Sequence, residues 1–407
     1  MKKLLFLSML ACSVALHAQP RGGKQVAPLT INKDRSVTVR YQAPATVKEV
    51  KICGDFLPFK VVSTEKWGDR EEFTPIVMKR NTEGVWEYTS AALKPDLYKY
   101  WFEVDGVKTI DINNLYVMRG GRSDNANFFI INDGISANYI TQQVPHGTVS
   151  ARWYYSPYFK KDRRMFVYTP AEYEQMSTNR YPVLYIFHGS SEEESSWLTQ
   201  GRMVEIIDNL IAQGLCEPMI VVAPNGDLDS QASYYTMNFD SSNQPHMCDV
   251  QNRSRGKENF DYYEYEHSFK DVINFIDSNY RTIPSKEGRA VCGVSMGGRN
   301  AMNVSRLQRN TFNYVGLFSP ALEPEIHFPN KGYDQDIIES LRQQAKDGVK
   351  LYWIGVGQHD LQWKTNVPFR KILDEVGMKY SFNPSDGAHT YNNWRVYLTK
   401  FAPQLFK

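Results

Sequence analysis

The stretch VCGVSMGGRN, residues 291–300, places one serine between glycines directly after an apolar run. Gly293, Ser295 and Gly297 fit G-x-S-x-G, in which a nucleophilic serine occupies a tight turn between a strand and a helix. Glycines are needed there because other side chains would collide with the neighbouring backbone. The flanking segments RAVC and GRNAMNVSRLQ supply the strand and the helix. A glycine-rich turn without chemistry fits the same letters, so the rest of the chain has to decide.

From residue 147 to 407, short apolar runs alternate with amphipathic segments. YPVLYIFHG, MIVVAPNG and KLYWIGVG are typical of strands covered on both faces of a sheet. EIIDNLIAQG and SFKDVINFIDSNY carry apolar residues at three- and four-residue spacing, which is typical of helices. The alternation predicts an α/β fold with a mainly parallel central sheet. Residues 229–265 interrupt it with a polar, aromatic insertion of the length that usually forms a functional loop or is disordered.

Residues 28–133 show strand patterns only. VTVRYQA, KEVKICGDF, YKYWFEVDG and NFFIIND cluster β-branched and aromatic residues between turn signals. They predict a small all-β, immunoglobulin-like sandwich domain, with Trp86 and Trp101 as packing residues of its strands. The polar segment 134–146 is interpreted as the linker to the second domain.

The first 18 residues predict a secretory signal peptide, with two lysines, a short apolar run and small residues before a cleavage site after Ala18. This places the protein outside the cell or in the periplasm; lipid anchoring at Cys12 is less favoured because SMLA is a poor lipoprotein signal. No other stretch approaches the roughly 20 apolar residues that span a membrane. Without the leader, 45 basic residues balance 45 acidic ones, and no basic run suggests a nucleic-acid partner.

The remaining cysteines and acidic residues form no recognisable metal site. Cys53 and Cys292 lie in apolar strand patterns and are interpreted as buried free thiols, while a Cys216–Cys248 disulfide is a less favoured alternative. The sequence contains no paired-cysteine, H-E-x-x-H or phosphate-loop motif, so we expect neither a metal nor a cofactor. The acidic run 192–194 is interpreted as a solvated helix start.

A nucleophilic serine needs a histidine base and an acid that orients it. His389 lies in the loop SDGAHTYNNW after a predicted strand, and it suits the order Ser, acid, His better than the other histidines that follow Ser295. Asp360 ends the apolar run LYWIGVGQHD, at the sheet edge where catalytic groups gather. Asp386 is the alternative acid, although it is better explained as part of a turn. The competing interpretation of His389 is an ordinary loop histidine.

An acyl-transfer site also needs donors for the oxyanion. The backbone amide of Met296, directly after the serine, is one candidate donor, and the amide of Ser190, after the His188-Gly189 pair, is the other. Trp197, Tyr234 and Tyr235 are candidate walls for an aryl acyl group, a hypothesis that rests on composition alone.

With these residues placed, the sequence resembles the esterase D-type α/β-hydrolases, and among them the feruloyl esterases of carbohydrate esterase family 1. The resemblance rests on YPVLYIFHGSSEEESSW, MIVVAPNG, GVSMGG, GVGQHD and GAHTYNNWR, in this order. GDFLP, GVWEYT and LYKYWFEVDG are similar to the family 48 carbohydrate-binding sandwich that precedes such esterases. The resemblance implies an α/β-hydrolase fold with Ser295, Asp360 and His389 as the triad and Met296 and Ser190 at the oxyanion hole.

The resemblance also implies a substrate, feruloylated arabinoxylan or its xylo-oligosaccharides, and hydrolysis of their hydroxycinnamoyl esters. The alternatives are an acetyl xylan esterase or general carbohydrate esterase with the same triad, and a non-catalytic glycan-binding protein with a relic hydrolase domain. One departure from the family is the loop HGSSEEESSW, in which Ser190 and Ser191 stand where glycines are common. If the chain needs a positive φ there, a serine is strained.

Overall fold

A computed structural model describes residues 26–64, 68–120, 124–226, 232, 263–323, 333 and 335–407. The predicted leader with Cys12, Cys248 of the alternative disulfide, and Tyr234 and Tyr235 lie outside these ranges. Within them, no helix combines the length and the apolar character needed to cross a bilayer.

The N-terminal part is a β-rich domain of two main sheets and a separate hairpin. One sheet has the strand order β1-β2-β8-β7, the other has the order β11-β12-β9-β3-β6 with β10 paired to β9, and β4 pairs with β5 alone. The strands are β1 (Leu29–Ile31), β2 (Val37–Gln42), β3 (Val50–Gly54), β4 (Phe59–Thr64), β5 (Gly68–Phe73), β6 (Ile76–Val77), β7 (Lys79–Arg80), β8 (Val85–Thr89), β9 (Leu97–Val104), β10 (Val107–Thr109), β11 (Val117–Gly120) and β12 (Asp124–Ile130).

The two main sheets of this domain share one apolar core. Val37 and Val39 of the first sheet pack in the same cluster as Ile52 and Phe102 of the second. Trp86 is buried in that cluster, as its strand pattern predicts. Trp101 is only half-buried and lies outside the cluster, with the Lys108 ammonium 4.6 Å from its ring centroid. The packing prediction therefore holds for Trp86, whereas Trp101 faces away from the core.

The C-terminal part alternates strands and helices around one sheet, as predicted. Its strands are β13 (Thr148–Ser156), β14 (Lys161–Thr169), β15 (Val183–Phe187), β16 (Ile220–Pro224), β17 (Arg289–Val294), β18 (Tyr314–Phe318), β19 (Leu351–Gly357) and β20 (Ser381–Ser385). Its α-helices are α1 (Ser196–Thr199), α2 (Met203–Ala212), α3 (Glu264–Asn279), α4 (Met296–Leu307), α5 (Gln335–Asp347), α6 (Asn366–Glu375) and α7 (Tyr391–Phe401).

The eight strands of this sheet follow the order β13-β14-β16-β15-β17-β18-β19-β20. β13, β14 and β16 pair antiparallel, and every pairing from β16 to β20 is parallel. Helices cover both faces, since Leu184 and Ile186 of β15 pack with α2 and α7 while Tyr185 and Phe187 pack with α3 and α4. Parallel strands that end at one edge bring the loops after β15, β17 and β19 together there.

Three cysteines of the described chain are buried free thiols. Cys53 lies on β3, Cys292 lies on β17, and Cys216 follows α2. The interpretation of Cys53 and Cys292 as buried thiols is confirmed.

The two domains are packed together tightly. Residues 134–139 form a 3₁₀ helix that ends in the buried Tyr139, so the predicted linker is ordered against the second domain. Asn209 of α2 donates from Nδ2 to the carbonyl oxygen of Ile140 at 2.9 Å. Leu97 and Phe128 of the first domain belong to the apolar cluster that underlies α2 and α7. The interface between the domains is therefore part of a buried apolar cluster to which both domains contribute.

A buried ion pair adds to this interface. Arg395 of α7 is only 2% exposed in its side chain, and its Nη2 lies 3.2 Å from Asp96 Oδ1 of the first domain. The same guanidinium donates to the carbonyl oxygens of Gln200 and Leu97. Asn392 donates to the second oxygen of Asp96 at 2.9 Å.

We expect Asp96→Ala to lower the free energy of unfolding by about 2 to 3 kcal/mol, because it leaves the buried Arg395 cation without its nearest carboxylate. Thermal and urea denaturation of the whole chain measure the loss. The control is Glu72→Ala, which breaks a pair with Lys60 in which both side chains are largely exposed and which contributes less than about 1 kcal/mol. Equal losses for the two variants would contradict a special role for the Asp96 contact.

Candidate active site

Ser295 occupies a strained turn between β17 and α4. Its backbone has φ 54° and ψ −117°, outside the regions that serine ordinarily adopts, and such a conformation costs about 1–3 kcal/mol. Two hydrogen bonds to the neighbouring segment hold it: the Ser295 amide donates to the Phe318 carbonyl oxygen, and the Ala321 amide donates to the Ser295 carbonyl oxygen, both at 2.9 Å. The turn is therefore held in place by the segment that follows β18.

The two motif glycines are required by close backbone contact. A Cβ atom on Gly293 would lie 2.5 Å from the carbonyl oxygen of Gly297, and one on Gly297 would lie 2.4 Å from the carbonyl oxygen of His188. No neighbouring side chain can relieve these contacts, because the atoms belong to the backbone. Collision of a side chain with the neighbouring backbone therefore explains both glycines of the G-x-S-x-G pattern.

His389 and Asp360 form a buried pair at the same sheet edge. His389 Nδ1 lies 2.8 Å from Asp360 Oδ1; the aspartate side chain is fully buried, and the histidine side chain is 18% exposed. Asp360 Oδ1 also accepts the backbone amide of Gln362 at 2.7 Å. The imidazole packs edge-to-face on Trp394 with 5.0 Å between ring centroids. These contacts fix the ring and place its proton on Nδ1, which leaves Nε2 free to act as a base.

The surrounding charges favour the protonated form of this histidine. Burial lowers the pKa of His389, but the charge of Asp360 and its hydrogen bond raise it, and Glu192 and Glu323 add to that increase. The net result is a pKa above the ordinary value of 6.5. Such an environment stabilises the imidazolium that forms when a histidine accepts a proton from a serine.

Ser295 and His389 are supported by adjoining groups, although they are not hydrogen-bonded to each other. β17 and β19 flank β18, so their ends lie about 10 Å apart. Trp394, which packs on His389, donates from Nε1 to Ser319 Oγ at 3.0 Å. Ser319 directly follows Phe318, whose carbonyl oxygen accepts the Ser295 amide. The Ser295 hydroxyl has no hydrogen bond to any described residue. Catalytic contacts often tighten only when substrate binds.

The loop after β15 faces this turn and is held by His188. Its Nε2 accepts the Gly226 amide at 2.8 Å, which places the ring proton on Nδ1, 2.8 Å from the Gly189 carbonyl oxygen. Ser190 and Ser191, which follow, are exposed. Ser191 has φ 64°, the left-handed region that favours glycine, whereas Ser190 is not among the residues with positive φ. The strain expected from the missing family glycines is therefore present at Ser191.

The two amides assigned to the oxyanion hole lie on either side of the gap between the strained turn at Ser295 (the elbow) and the loop after β15. Met296 is the first residue of α4, where a backbone N–H has no partner within the helix. Within the described part of the chain, neither its amide nor that of Ser190 donates a hydrogen bond. Both N–H groups therefore remain available to an external acceptor.

Glu192 is a residue of the site that the sequence interpretation missed. Its Oε2 accepts the Gly189 amide at 2.8 Å and the Tyr391 hydroxyl at 2.9 Å, so it ties the loop after β15 to the start of α7. Its charge also contributes to the raised pKa of His389. The available signal was the position of this acidic residue, three residues after Gly189 in the loop opposite Ser295.

The interpretation of residues 192–194 as a solvated helix start is wrong. Glu193 and Glu194 are buried, and the Glu194 carboxylate lies 2.8 Å from Arg164 Nε and accepts the Asn225 side-chain amide at 2.8 Å. Buried carboxylates need such partners because they lose their hydration. The acidic run is therefore part of the support beneath the site.

The structure also changes the assignment of Trp197. Its side chain is 1% exposed, its Nε1 donates to the Phe187 carbonyl oxygen at 3.0 Å, and its ring packs on Phe318 and Tyr391. The prediction that Trp197 lines an acyl pocket is wrong, because the ring is part of the core under the loop. Among the described residues, no group of three or more His, Cys, Asp or Glu side chains is arranged to hold a metal ion.

This fold and this site are those of an ester hydrolase. Residues 156–405 match the sequence model of the Esterase family, described as "Putative esterase". The match covers more than half of the chain, and the chain belongs to this family.

Curated relatives agree with that assignment. An endo-1,4-beta-xylanase/feruloyl esterase of Xylanibacter ruminicola is 29% identical over 339 residues, which are 81% of this chain and 41% of the relative. Esterase Rv1288 of Mycobacterium tuberculosis is 24% identical over 57% of this chain and 41% of its own length. The chain thus spans about two fifths of the length of either relative.

Solved structures share the fold. The CE1 ferulic acid esterase of Anaeromyces mucronatus superposes with a TM-score of 0.51 at 22% identity, over 66% of this chain and 95% of that one. The enterobactin esterase of Shigella flexneri reaches 0.61 at 14% identity, over 91% of this chain and 93% of that one. These likenesses show an α/β-hydrolase fold, as the resemblance implied, and the longer superposition includes the N-terminal β-rich domain.

We expect Ser191→Gly to retain activity and to change the free energy of unfolding by less than about 1 kcal/mol, because relief of left-handed strain is offset by the greater freedom of glycine in the unfolded chain. Ser191→Val should cost more than about 1 kcal/mol and slow ester hydrolysis, because a β-branched residue resists positive φ. Ser150→Val, on the extended strand β13, is the control. Denaturation and initial rates measure both effects; a neutral Ser191→Val would contradict the strain argument.

We expect Glu192→Gln to move the acid limb of the kcat/KM profile to lower pH. A histidine base works in its neutral form, so activity is lost as pH falls through its pKa, and removing the Glu192 charge lowers that pKa. The glutamine oxygen can still accept from Gly189 and Tyr391, so the rate on the high-pH plateau should change little. Glu193→Gln is the matched control, because Glu193 is not among the charges that raise the His389 pKa. An unchanged profile in Glu192→Gln, or an equal shift in both variants, contradicts the direct effect of this charge.

Proposed function

We propose that the protein is a serine carboxylesterase that hydrolyses feruloyl and related hydroxycinnamoyl esters on plant cell-wall arabinoxylan and its xylo-oligosaccharides. The observation that carries the proposal is the buried Asp360–His389 pair at the sheet edge that also bears Ser295 in its strained turn. Membership of the esterase family and the feruloyl esterase activity in the name of the Xylanibacter relative support the substrate class.

In the proposed reaction, His389 Nε2 removes the proton from Ser295 Oγ, and the oxygen attacks the ester carbonyl carbon. Asp360 keeps the imidazole in the correct tautomer and stabilises its charged form. The tetrahedral intermediate collapses, the sugar hydroxyl leaves with the proton from His389, and a feruloyl ester of Ser295 remains. Water activated by His389 then attacks this ester, so that ferulate and the free serine are released.

The oxyanion of both tetrahedral intermediates needs two donors. We assign them to the amides of Met296 and Ser190, on either side of the gap between the elbow and the loop after β15. Loss of one such donor typically costs about 10²–10³-fold in rate. The supports described for this loop, His188 and Glu192, would act by holding the Ser190 amide in position.

The N-terminal domain and the cellular location belong to the same proposal. We assign an immunoglobulin-like, family 48-like carbohydrate-binding module to the β-rich domain, and secretion or periplasmic export to the predicted leader of residues 1–18. The shared core and the Asp96–Arg395 pair mean that the module also supports α7, the helix that follows His389. Activity should therefore be tested on the whole chain.

Ser295→Ala should reduce ferulate release from feruloylated arabinoxylan and from methyl ferulate by about 10⁴-fold or more, since it removes the nucleophile. Ser305→Ala, on α4, removes a hydroxyl whose one hydrogen bond to the described residues is to the Met302 carbonyl oxygen, and this variant should stay close to the wild-type rate. Liquid chromatography measures the released acids. Preferential release of acetate from acetylated xylan would favour the acetyl xylan or general carbohydrate esterase alternative. Glycan binding without any ester turnover would favour a relic hydrolase.

A further inference from the structure

One face of the sheet edge exposes aromatic side chains that the proposed reaction does not use. Along the edge strand β13, alternate residues point to solvent, and they include Trp153 at 46% exposed and Tyr155 at 59%. Register pairing places Arg164 beside Trp153, Asp162 beside Tyr155 and Phe166 beside Ala151, all on this face. We call the surface formed by Trp153, Tyr155, Asp162, Arg164 and Phe166 the β13 platform.

Arg164 orders the platform. Its guanidinium carbon lies 5.8 Å from the Trp153 ring centroid and 5.5 Å from that of Phe166, so it sits between the two rings. Its Nε lies 2.8 Å from Glu194 Oε1, a carboxylate that is fully buried. Because the buried acid fixes the arginine and the arginine contacts both rings, Trp153 is held in place before any ligand arrives.

The platform lies at the catalytic edge of the sheet. Met165, next to Arg164, pairs with Pro224 at the carboxyl end of β16, and Asn225 bonds the same Glu194 carboxylate as Arg164. Three strands separate β13 from β17, which places the platform about 19 Å from the elbow across the sheet. A polymer anchored at Ser295 through one side group could reach it along this edge, whereas a small ester could not.

The side chains of the β13 platform suit a neutral glycan chain as ligand. The flat Trp and Tyr rings can stack on the apolar C–H faces of sugar rings. The polar N–H and O–H groups of these side chains and the Asp162 carboxylate can form hydrogen bonds with the sugar hydroxyl groups. Asp162 and Arg164 carry one negative and one positive charge, so the platform has neither the basic excess that nucleic acid requires nor the broad apolar area of a membrane-binding surface. Contiguous exposed apolar surface with a polar rim is typical of interaction sites on soluble proteins.

We propose that the β13 platform is a secondary subsite that binds the polysaccharide backbone of the substrate while a feruloyl side group occupies the site at Ser295. This inference rests on the proposed function for the identity of the polymer, arabinoxylan. Its role is to raise the effective concentration of ester groups at the active site, so it acts on polymers and not on small esters.

Binding and turnover test the subsite separately. In a Ser295→Ala background, affinity electrophoresis with soluble arabinoxylan should show that Trp153→Ala and Tyr155→Ala each weaken binding by about fivefold or more. With Ser295 intact, Trp153→Ala should lower kcat/KM for feruloylated arabinoxylan by a similar factor and leave methyl ferulate within about twofold. Trp153→Phe should recover most of the loss. The control is Leu215→Ala, which removes an equally exposed apolar side chain from the segment after α2, outside the N-terminal domain.

Several results overturn the subsite. Unchanged polymer binding by Trp153→Ala rules the subsite out. If the melting temperature of this variant is also lower than that of the parent, the β13 platform packs against another part of this chain. A parallel loss on methyl ferulate shows general damage to the site, and an equal loss in Leu215→Ala shows a nonspecific effect. If the wild type releases acetate and no ferulate, the proposed acyl specificity fails, while the binding comparison still decides the platform.

Discussion

The backbone contact between the elbow at Ser295 and the loop after β15 controls the geometry of the site. At Gly297 the two backbone segments approach so closely that a Cβ atom on this residue would lie 2.4 Å from the His188 carbonyl oxygen. Since His188 in turn binds the Gly226 amide and the Gly189 carbonyl, three loops at the sheet edge are fixed relative to one another. The proposed nucleophile and the amides proposed to face it are therefore positioned by the packing of backbone atoms, which leaves little freedom for adjustment.

Helix α7 supplies the second support, and it joins the active site to the N-terminal domain. Tyr391, in its first turn, bonds Glu192 of the loop after β15, and Trp394, one turn later, packs on His389. Arg395, the next residue, is bound by Asp96 of the other domain. The histidine thus lies directly before a helix that is held from two sides. This arrangement explains why the β-rich domain contributes to the site without supplying a residue of the proposed triad.

Local signals in the sequence were sufficient to predict the strands and the turn at Ser295, and to select His389 and Asp360 as a candidate pair. Each depends on a pattern of a few residues or on chain order. The burial of Glu194 was not predictable in this way, because its partners Arg164 and Asn225 lie 30 and 31 residues away. Asp96 and Arg395 are 299 residues apart, and their contact depends on how the domains pack. Trp197 was misassigned because a pattern of residue types does not show whether a ring faces a pocket or the core.

The acidic groups around His389 do more than set its proton affinity. Asp360, Glu192 and Glu323 all act on the imidazole, so the site carries negative charge where the proton would move in the proposed reaction. That charge favours the imidazolium of the transition state and is tolerated by a neutral ester. Hydrolysis converts the ester into a carboxylate anion, which the same charges repel. In the proposed reaction, one electrostatic arrangement would therefore assist both proton transfer in the first half and departure of the acid at the end.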